Sequence, residues 1–113
     1  MEQGAQQTVK PVKDLAVELV KYIDHSNILA QRSHNYDNNV SFRNSLRACI
    51  QLRWWIEACK GSYPTHEFCR VVIQNSGHLH NILPNPSNKS YKSSMHTINT
   101  ILDSVKLKFK SFN

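Results

Sequence analysis

Five side chains in the middle of the sequence are of the types that bind zinc: Cys59, His66, Cys69, His78 and His80. Structural zinc sites usually pair their ligands two to four residues apart on a tight knuckle, and only His66 with Cys69 and His78 with His80 have such a spacing. A free cysteine is more often a small hydrophobic core residue than a ligand. We therefore expect cysteines in the core, and no metal ion or other cofactor.

Nucleophilic catalysis is the other chemistry that these residue types could perform. A cysteine nucleophile needs a neighbouring histidine and an oxyanion donor, and nothing in the sequence shows that Cys59 or Cys69 approaches a histidine. The sequence also contains no glycine-rich phosphate loop and no paired-carboxylate motif. We expect a protein that is not an enzyme and has no small-molecule substrate.

A basic and aromatic stripe is the stronger indication of function. Arg43 and Arg47 are one helical turn apart, and Trp54 lies two turns further on nearly the same bearing, with Gln51 beside it. Trp55 falls in the apolar arc, so the two tryptophans should point in different directions. A guanidinium can hold a phosphate in a planar fork, and a tryptophan can stack on a base or a ribose. A plain solvated face or a dimer contact would give the same pattern.

Other basic residues could widen this footprint. Lys60 follows the same helix, and Lys10 and Lys13 would contribute if the first helix packs alongside it. Arg53 falls inside the apolar arc, where its guanidinium needs a partner. Glu57, one turn on, is the local candidate, and a subunit boundary is the other explanation. The predicted RNA-binding residues are Arg43, Arg47, Arg53, Trp54, Lys60, Lys10 and Lys13.

The composition agrees with a polyanion as the partner. The 113 residues include 14 lysines and arginines against 8 acidic residues, a net charge of +6, which suits nucleic acid or an anionic surface but can also serve solubility alone. Three cysteines, an odd number, and a first segment without a secretory apolar region indicate a reducing, cytoplasmic setting. No apolar run has the length of a membrane span, so we expect no membrane partner.

The elements that must position these residues are helices. The first begins at Pro11, which suits a first helical turn, and extends towards Leu29. The second begins near Asn39 or Ser41 and ends at Gly61, which stands where a left-handed C-terminal residue is wanted. Both predictions rest on apolar residues that recur every three or four positions.

The second half of the chain continues this pattern with two ambiguities. A third helix follows Thr65 until Gly77 interrupts it, although "CRVVIQ" could also be a short strand, and the last helix follows Tyr91, although "VKLKFK" alternates as a strand would. We expect an all-α fold: a small helical bundle of about four helices. It should form one domain over residues 9–113, behind a disordered tail over residues 1–8.

The stretch "NNVSFRNSLRACIQLRWW", residues 38–55, resembles the second helix of the small RNA-silencing suppressors of insect nodaviruses. In that family a similar Asn-Asn-Val start leads into a leucine and an Ala-Cys pair. The matching positions here are Asn38, Asn39, Val40, Leu46, Ala48 and Cys49. The family forms antiparallel helical homodimers that lay paired long helices along double-stranded RNA. The resemblance implies a homodimer, with Arg43, Arg47 and Arg53 as phosphate contacts.

The basic stripe predicts a cytoplasmic RNA-binding protein that sequesters RNA by sequence-independent phosphate contacts. The resemblance implies that the protein is viral, prefers duplex RNA in the host cytoplasm and suppresses RNA silencing. Duplex RNA hides its base edges in a deep, narrow groove, and a rigid helix pair that carries arginines can recognise shape and charge alone. There are two alternatives: a helical coat or nucleocapsid subunit that assembles on RNA, and an adaptor that docks a host protein through the Trp54 side and has no nucleic-acid role.

Overall fold

A computed structural model describes residues 10–31, 40–83 and 90–111, which form five helices and no strand. The helices are α1 (Val12–Gln31), α2 (Val40–Cys59), α3 (Thr65–Gln74), α4 (Ser76–Asn81) and α5 (Ser90–Lys110). The all-α prediction is confirmed, with five helices rather than about four. The predicted tail, residues 1–8, lies outside the described residues.

The ends of α1 and α2 lie close to their predicted positions. The carbonyl of Pro11 accepts hydrogen bonds from the amides of Asp14 and Leu15, at 3.0 and 3.1 Å, so the proline opens α1. Two residues with positive φ follow α2: Lys60 at 50° and Gly61 at 84°. Glycine adopts this conformation at little cost because it has no Cβ. The predicted stop at Gly61 is confirmed.

The break in the second half of the chain differs from the prediction. It lies at Asn75, whereas Gly77 is inside α4. The side-chain amide of Asn75 donates to the carbonyl of Val71 at 2.9 Å, a local hydrogen bond that competes with the continuing helix. "CRVVIQ" belongs to α3 and "VKLKFK" to α5, so neither forms a strand. Helical packing prevails because Cys69 and Val72 are both buried one turn apart.

The core lies where the inner stripes of the five helices meet. Helix α1 packs against α2 and α5, α3 packs against α5, and α4 packs against α2. The largest fully buried side chains are Phe68, Leu15, Leu19, Ile23, Leu46, Leu79, Ile82, Ile98, Ile101, Leu102, Val72 and Val105. Burying each such side chain contributes roughly 1.5–3 kcal/mol before the entropy of ordering the chain is subtracted.

Two cysteines are part of this core, as predicted. Cys49 and Cys69 are fully buried, and Cys59 is half-buried. Burial raises the pKa of the Cys49 thiol to about 12 and also raises the pKa of Cys69, because the thiolate would lose its hydration. These two thiols therefore act as small apolar side chains.

The short helix α4 is joined by hydrogen bonds to three other helices. The buried hydroxyl of Tyr22 in α1 donates to the carbonyl of Leu79 at 2.8 Å. His78 Nδ1 lies 3.0 Å from Ser45 Oγ of α2, and His80 Nε2 lies 3.0 Å from Asn99 Oδ1 of α5. A helix of six residues is too short to be stable by itself. Contacts with its neighbours must therefore hold α4 in place.

Among the described residues, no helix is both long enough and apolar enough to cross a membrane.

Candidate nucleic-acid interface

The outward face of α2 carries the predicted basic and aromatic stripe. Cys49, Leu52 and Ile56 form the buried side of this helix. A rotation of about 100° per residue turns Arg47 and Trp54 away from that side, and both are exposed, Trp54 to 63%. The stripe therefore faces solvent rather than the core.

A shallow groove of about 530 Å³ runs along this face. Its described lining residues, which define the α2 groove, are Arg43, Leu46, Arg47, Ile50, Gln51 and Trp54. Leu46 and Ile50 give it an apolar floor, because both pack on the core. The remaining lining side chains are two guanidinium groups, one amide and one indole, so no described residue that lines the groove carries a negative charge.

No carboxylate of the described residues forms an ion pair with Arg43 or Arg47. The ion pairs among the described residues are made by Lys10, Arg53 and Arg70. The Nε atom of Arg43 is buried and has no hydrogen-bond partner within the described part of the chain. A buried donor without a partner costs about 1–3 kcal/mol.

Arg53 is held in a different way. Its Nε donates to Asp24 Oδ1 at 2.6 Å and its Nη2 to Oδ2 at 3.3 Å, while Nη1 lies 2.7 Å from Glu57 Oε1. The hydrogen bond to Asp24 is the main reason that the pKa of Arg53 is raised. Glu57 is the local partner that the sequence predicted, and Asp24 was missed because helical spacing does not show which residues of α1 face α2. Arg53 therefore joins α1 to α2, and its contact with phosphate stays a prediction.

The three predicted lysines lie outside the α2 groove. Lys10 and Lys13 are exposed at the start of α1, and the Lys10 ammonium lies 2.6 Å from a carboxylate oxygen of Glu18. Lys60 is exposed on the turn that follows α2. Their contribution to RNA binding stays a prediction, and the structure brings together only Arg43, Arg47 and Trp54 of the seven predicted residues.

The two tryptophans point in different directions, as predicted. Trp55 packs against Phe68, with the ring centroids 6.4 Å apart, whereas Trp54 stands in the solvent-facing stripe. Adjacent residues on a helix differ by about 100° in bearing, so one aromatic ring can seal the core while its neighbour stays outside.

The histidines of zinc-binding type make packing contacts and hydrogen bonds in separate parts of the structure. Over residues 10–31, 40–83 and 90–111, no three histidine, cysteine, aspartate or glutamate side chains come together in a way that could hold a metal ion. The ring of His66 stacks on Phe109 at 4.9 Å, and His78 and His80 face Ser45 and Asn99.

A second cleft, of about 300 Å³, lies between α1 and α5. It is lined by Glu18, Lys21 and His25 of α1 and by hydroxyl groups of α5, including Ser93 and Thr97. Since charges of both signs meet in this cleft, it offers a polyanion no net attraction. The α2 groove is the better candidate.

Comparison of the chain with protein-family models, with curated proteins and with solved structures found no match. The function must therefore be inferred from the chain's own residues, and the α2 groove is the strongest candidate for a binding site among them.

Proposed function

We propose that this chain binds RNA, with a preference for duplex, through sequence-independent phosphate contacts made by the α2 groove. Binding of this kind would shield the RNA from processing enzymes and suppress RNA silencing, and it requires no reaction. The observation that carries the proposal is the pair Arg43 and Arg47, one turn apart in the α2 groove and without a neighbouring carboxylate among the described residues. Arg47 is exposed and Arg43 is half-buried.

The spacing of the two arginines suits a phosphate backbone. Four residues of helix place Arg43 and Arg47 about 6 Å apart along the axis, so the two guanidinium groups can contact successive phosphates of one strand. Each can form a charge-assisted, bidentate pair with phosphate oxygens. Neither contact depends on the base, and the net charge of +6 favours the approach of any nucleic acid.

A homodimer in the host cytoplasm, encoded by a virus, is part of this proposal. One α2 groove supplies only two guanidinium groups, whereas proteins with strongly salt-dependent binding make about 6–10 phosphate contacts. A second copy would double the number of arginines, and Lys10, Lys13 and Lys60 would add to both footprints. Two helices side by side would also follow the shape of an A-form duplex.

Gel-shift titrations with duplex and single-stranded RNA at low and moderate salt test the proposal. We expect duplex binding that weakens steeply as salt rises, because bound phosphates release counterions. Arg70→Gln is the control for variants of Arg43 and Arg47. It removes an exposed arginine of α3 that is paired with Glu67 and lies outside the groove. If short RNA duplexes are ignored even at low salt, the proposal is wrong.

Light scattering separates the proposal from its alternatives. A suppressor should stop at the mass of a dimer, whereas a coat subunit should grow with protein or RNA concentration. An adaptor that docks a host protein through Trp54 would show no salt-dependent gel shift with either RNA.

A further inference from the structure

We infer that the α2 groove takes an unpaired nucleotide, with its base stacked on the Trp54 indole and its neighbouring phosphates on Arg47 and Arg43. This inference rests on the proposed RNA-binding function and names the form of RNA that the site would prefer. It predicts that a duplex with an unpaired extension binds more tightly than a blunt duplex.

The exposure of Trp54 is the first support. Trp55 is packed against Phe68, but 63% of Trp54 remains in solvent. An indole buries a large apolar surface when a flat partner covers it. Stacking of a nucleic-acid base on an aromatic side chain is worth about 1–3 kcal/mol per base, so a base is a partner that would use this surface.

The size and lining of the groove are the second support. A volume of about 530 Å³ falls within the range of roughly 300–1,000 Å³ that small-ligand sites occupy. Ile50 and Leu46 offer an apolar surface for the plane of a base, and the Gln51 amide offers both a donor and an acceptor for its edge. Since an amide can rotate to present either group, this contact suits more than one base.

The structure of duplex RNA explains why the nucleotide should be unpaired. Inside an A-form helix each base is covered on both faces by its neighbours, whereas bases of loops, bulges and ends can stack on aromatic side chains. Arg43 and Trp54 are eleven residues apart, or about 16 Å along the helix axis. The last phosphates of a duplex can therefore lie on the two arginines while the next nucleotide reaches the indole.

A second copy of the chain is the main competing occupant of this groove. A two-fold axis would bring the same patch of both copies together, and Arg43 and Arg47 of one copy would then face those of the other. No described residue of the groove supplies a carboxylate to offset this repulsion. Facing like charges in an interface cost several kcal/mol, so an anionic ligand fits the groove better.

Binding of the full chain to four RNAs tests the inference: a blunt duplex, the same duplex with a short unpaired 3′ extension, the same extension without bases, and the extension strand alone. We expect the normal extension to strengthen binding about tenfold over the blunt duplex. The abasic extension should give little of this gain, because it keeps the added phosphates but has no base to stack.

The variants Trp54→Ala and Trp54→Phe complete the test. Trp54→Ala should abolish the preference for the extension over the blunt duplex, and Trp54→Phe should restore part of the preference because it retains an aromatic face. Since Trp54 is exposed, neither variant should disturb the core, and thermal unfolding of both verifies this.

Four results would overturn the inference, and one of them also overturns the proposed function. If the blunt duplex binds but neither extension adds affinity, or the abasic extension adds as much as the normal one, the inference fails and phosphate-led binding stands. If Trp54→Ala lowers the oligomeric state in light scattering, Trp54 is a contact between copies and the inference fails. If no RNA binds, both proposals fail.

Discussion

Arg47 and Arg53 lie six residues apart on one helix. Their guanidinium groups differ in whether carboxylates lie next to them. Arg47 is exposed in the α2 groove, whose described lining contains no carboxylate. Arg53 is three-quarters buried, with a side-chain exposure of 26%, and is bound by Asp24 from α1 and by Glu57 from its own helix. The comparison teaches that an arginine available for a ligand is distinguished from a structural one by the acidic residues of the neighbouring helix.

The two settings also differ in what each arginine contributes. Ion pairs that are partly exposed are worth about 0.2–1 kcal/mol each, so the Arg53 pairs should add modestly to stability by joining α1 to α2. Arg43 and Arg47 have no such role among the described residues, and their charge is available for a ligand. Variants of the two groups should therefore separate binding from stability.

The largest expected effect is the loss of RNA binding in the double variant Arg43→Gln, Arg47→Gln. A hydrogen bond to a charged group contributes about 1.5–3 kcal/mol, and the variant loses at least two, so we expect an affinity at least about 100-fold lower in a gel-shift titration. The slope of log affinity against log salt should become shallower by about 2 for each copy, or about 4 in the proposed homodimer, since each lost phosphate contact removes about 0.9.

Arg70→Gln serves as the control for this double variant, because it also removes an arginine but leaves the α2 groove intact. Because Arg70→Gln removes one charge and the double variant two, a loss of affinity half as large on a logarithmic scale in Arg70→Gln would show that only net charge matters. The contrast between Arg47 and Arg53 would then have no functional meaning.

The second effect, on stability, tests the buried side of α2. Because the pKa of Cys49 is raised to about 12 in the folded chain, the unfolded chain releases its thiol proton first as the pH rises. The contribution of the Cys49 thiol to the free energy of unfolding should be fully present below about pH 9. Above that pH the free energy of unfolding should fall by about 1.4 kcal/mol per pH unit. Cys69 and Tyr22, whose pKa values are also raised by burial, act in the same direction.

Urea unfolding at pH 8 and pH 10 measures this fall in stability. Cys49→Ala should flatten the alkaline decline although it lowers stability at both pH values, since it removes one titrating group. An unchanged decline in that variant would mean that the Cys49 thiol is not the cause.

A smaller effect is expected when Arg53 is removed. Arg53→Met loses both ion pairs but keeps the apolar stem, so the free energy of unfolding should fall by about 1 kcal/mol. RNA affinity should change by less than about twofold, because salt screens the effect of a charge that does not contact the RNA. A large loss of affinity without a loss of stability would instead place Arg53 among the phosphate contacts, as the sequence predicted.

The smallest effect should come from releasing Arg53 rather than removing it. In Asp24→Asn, Glu57→Gln the guanidinium loses both of its carboxylates, and RNA affinity should rise about two- to threefold because one more cation becomes available. Glu67→Gln, Asp103→Asn is the matched control, since it removes the same charge from α3 and α5. A similar rise in the control would assign the effect to net charge.

Much of the fold could be predicted because the apolar residues of a helix recur every three or four positions within one segment. The Pro11 start, the Gly61 stop and the different bearings of Trp54 and Trp55 all follow from spacing within one helix. The exposure of Trp54 did not follow, since a dimer contact would give the same spacing. The break at Asn75 could not be found in this way, because it depends on one side-chain hydrogen bond to Val71 that any asparagine could make or omit.

The candidate site likewise has features that could be predicted from spacing within one helix and features that could not. The common face of Arg43, Arg47 and Trp54 was predictable, since four and seven residues return to nearly the same bearing on a helix. The pairing of Arg53 with Asp24 was not, because it depends on how α1 crosses α2. Contacts between helices decide which of several similar arginines a ligand can reach, and single-sequence patterns do not contain them.

Lys60 offers a way to make the protein easier to handle. At φ 50° its backbone has a left-handed conformation that disfavours most L-residues by about 1–2 kcal/mol and that asparagine tolerates better. A laboratory seeking a more robust sample could therefore exchange Lys60 for asparagine, at the expense of a single cation beyond the last turn of α2. The lysine at this position therefore supplies a positive charge at a cost in stability.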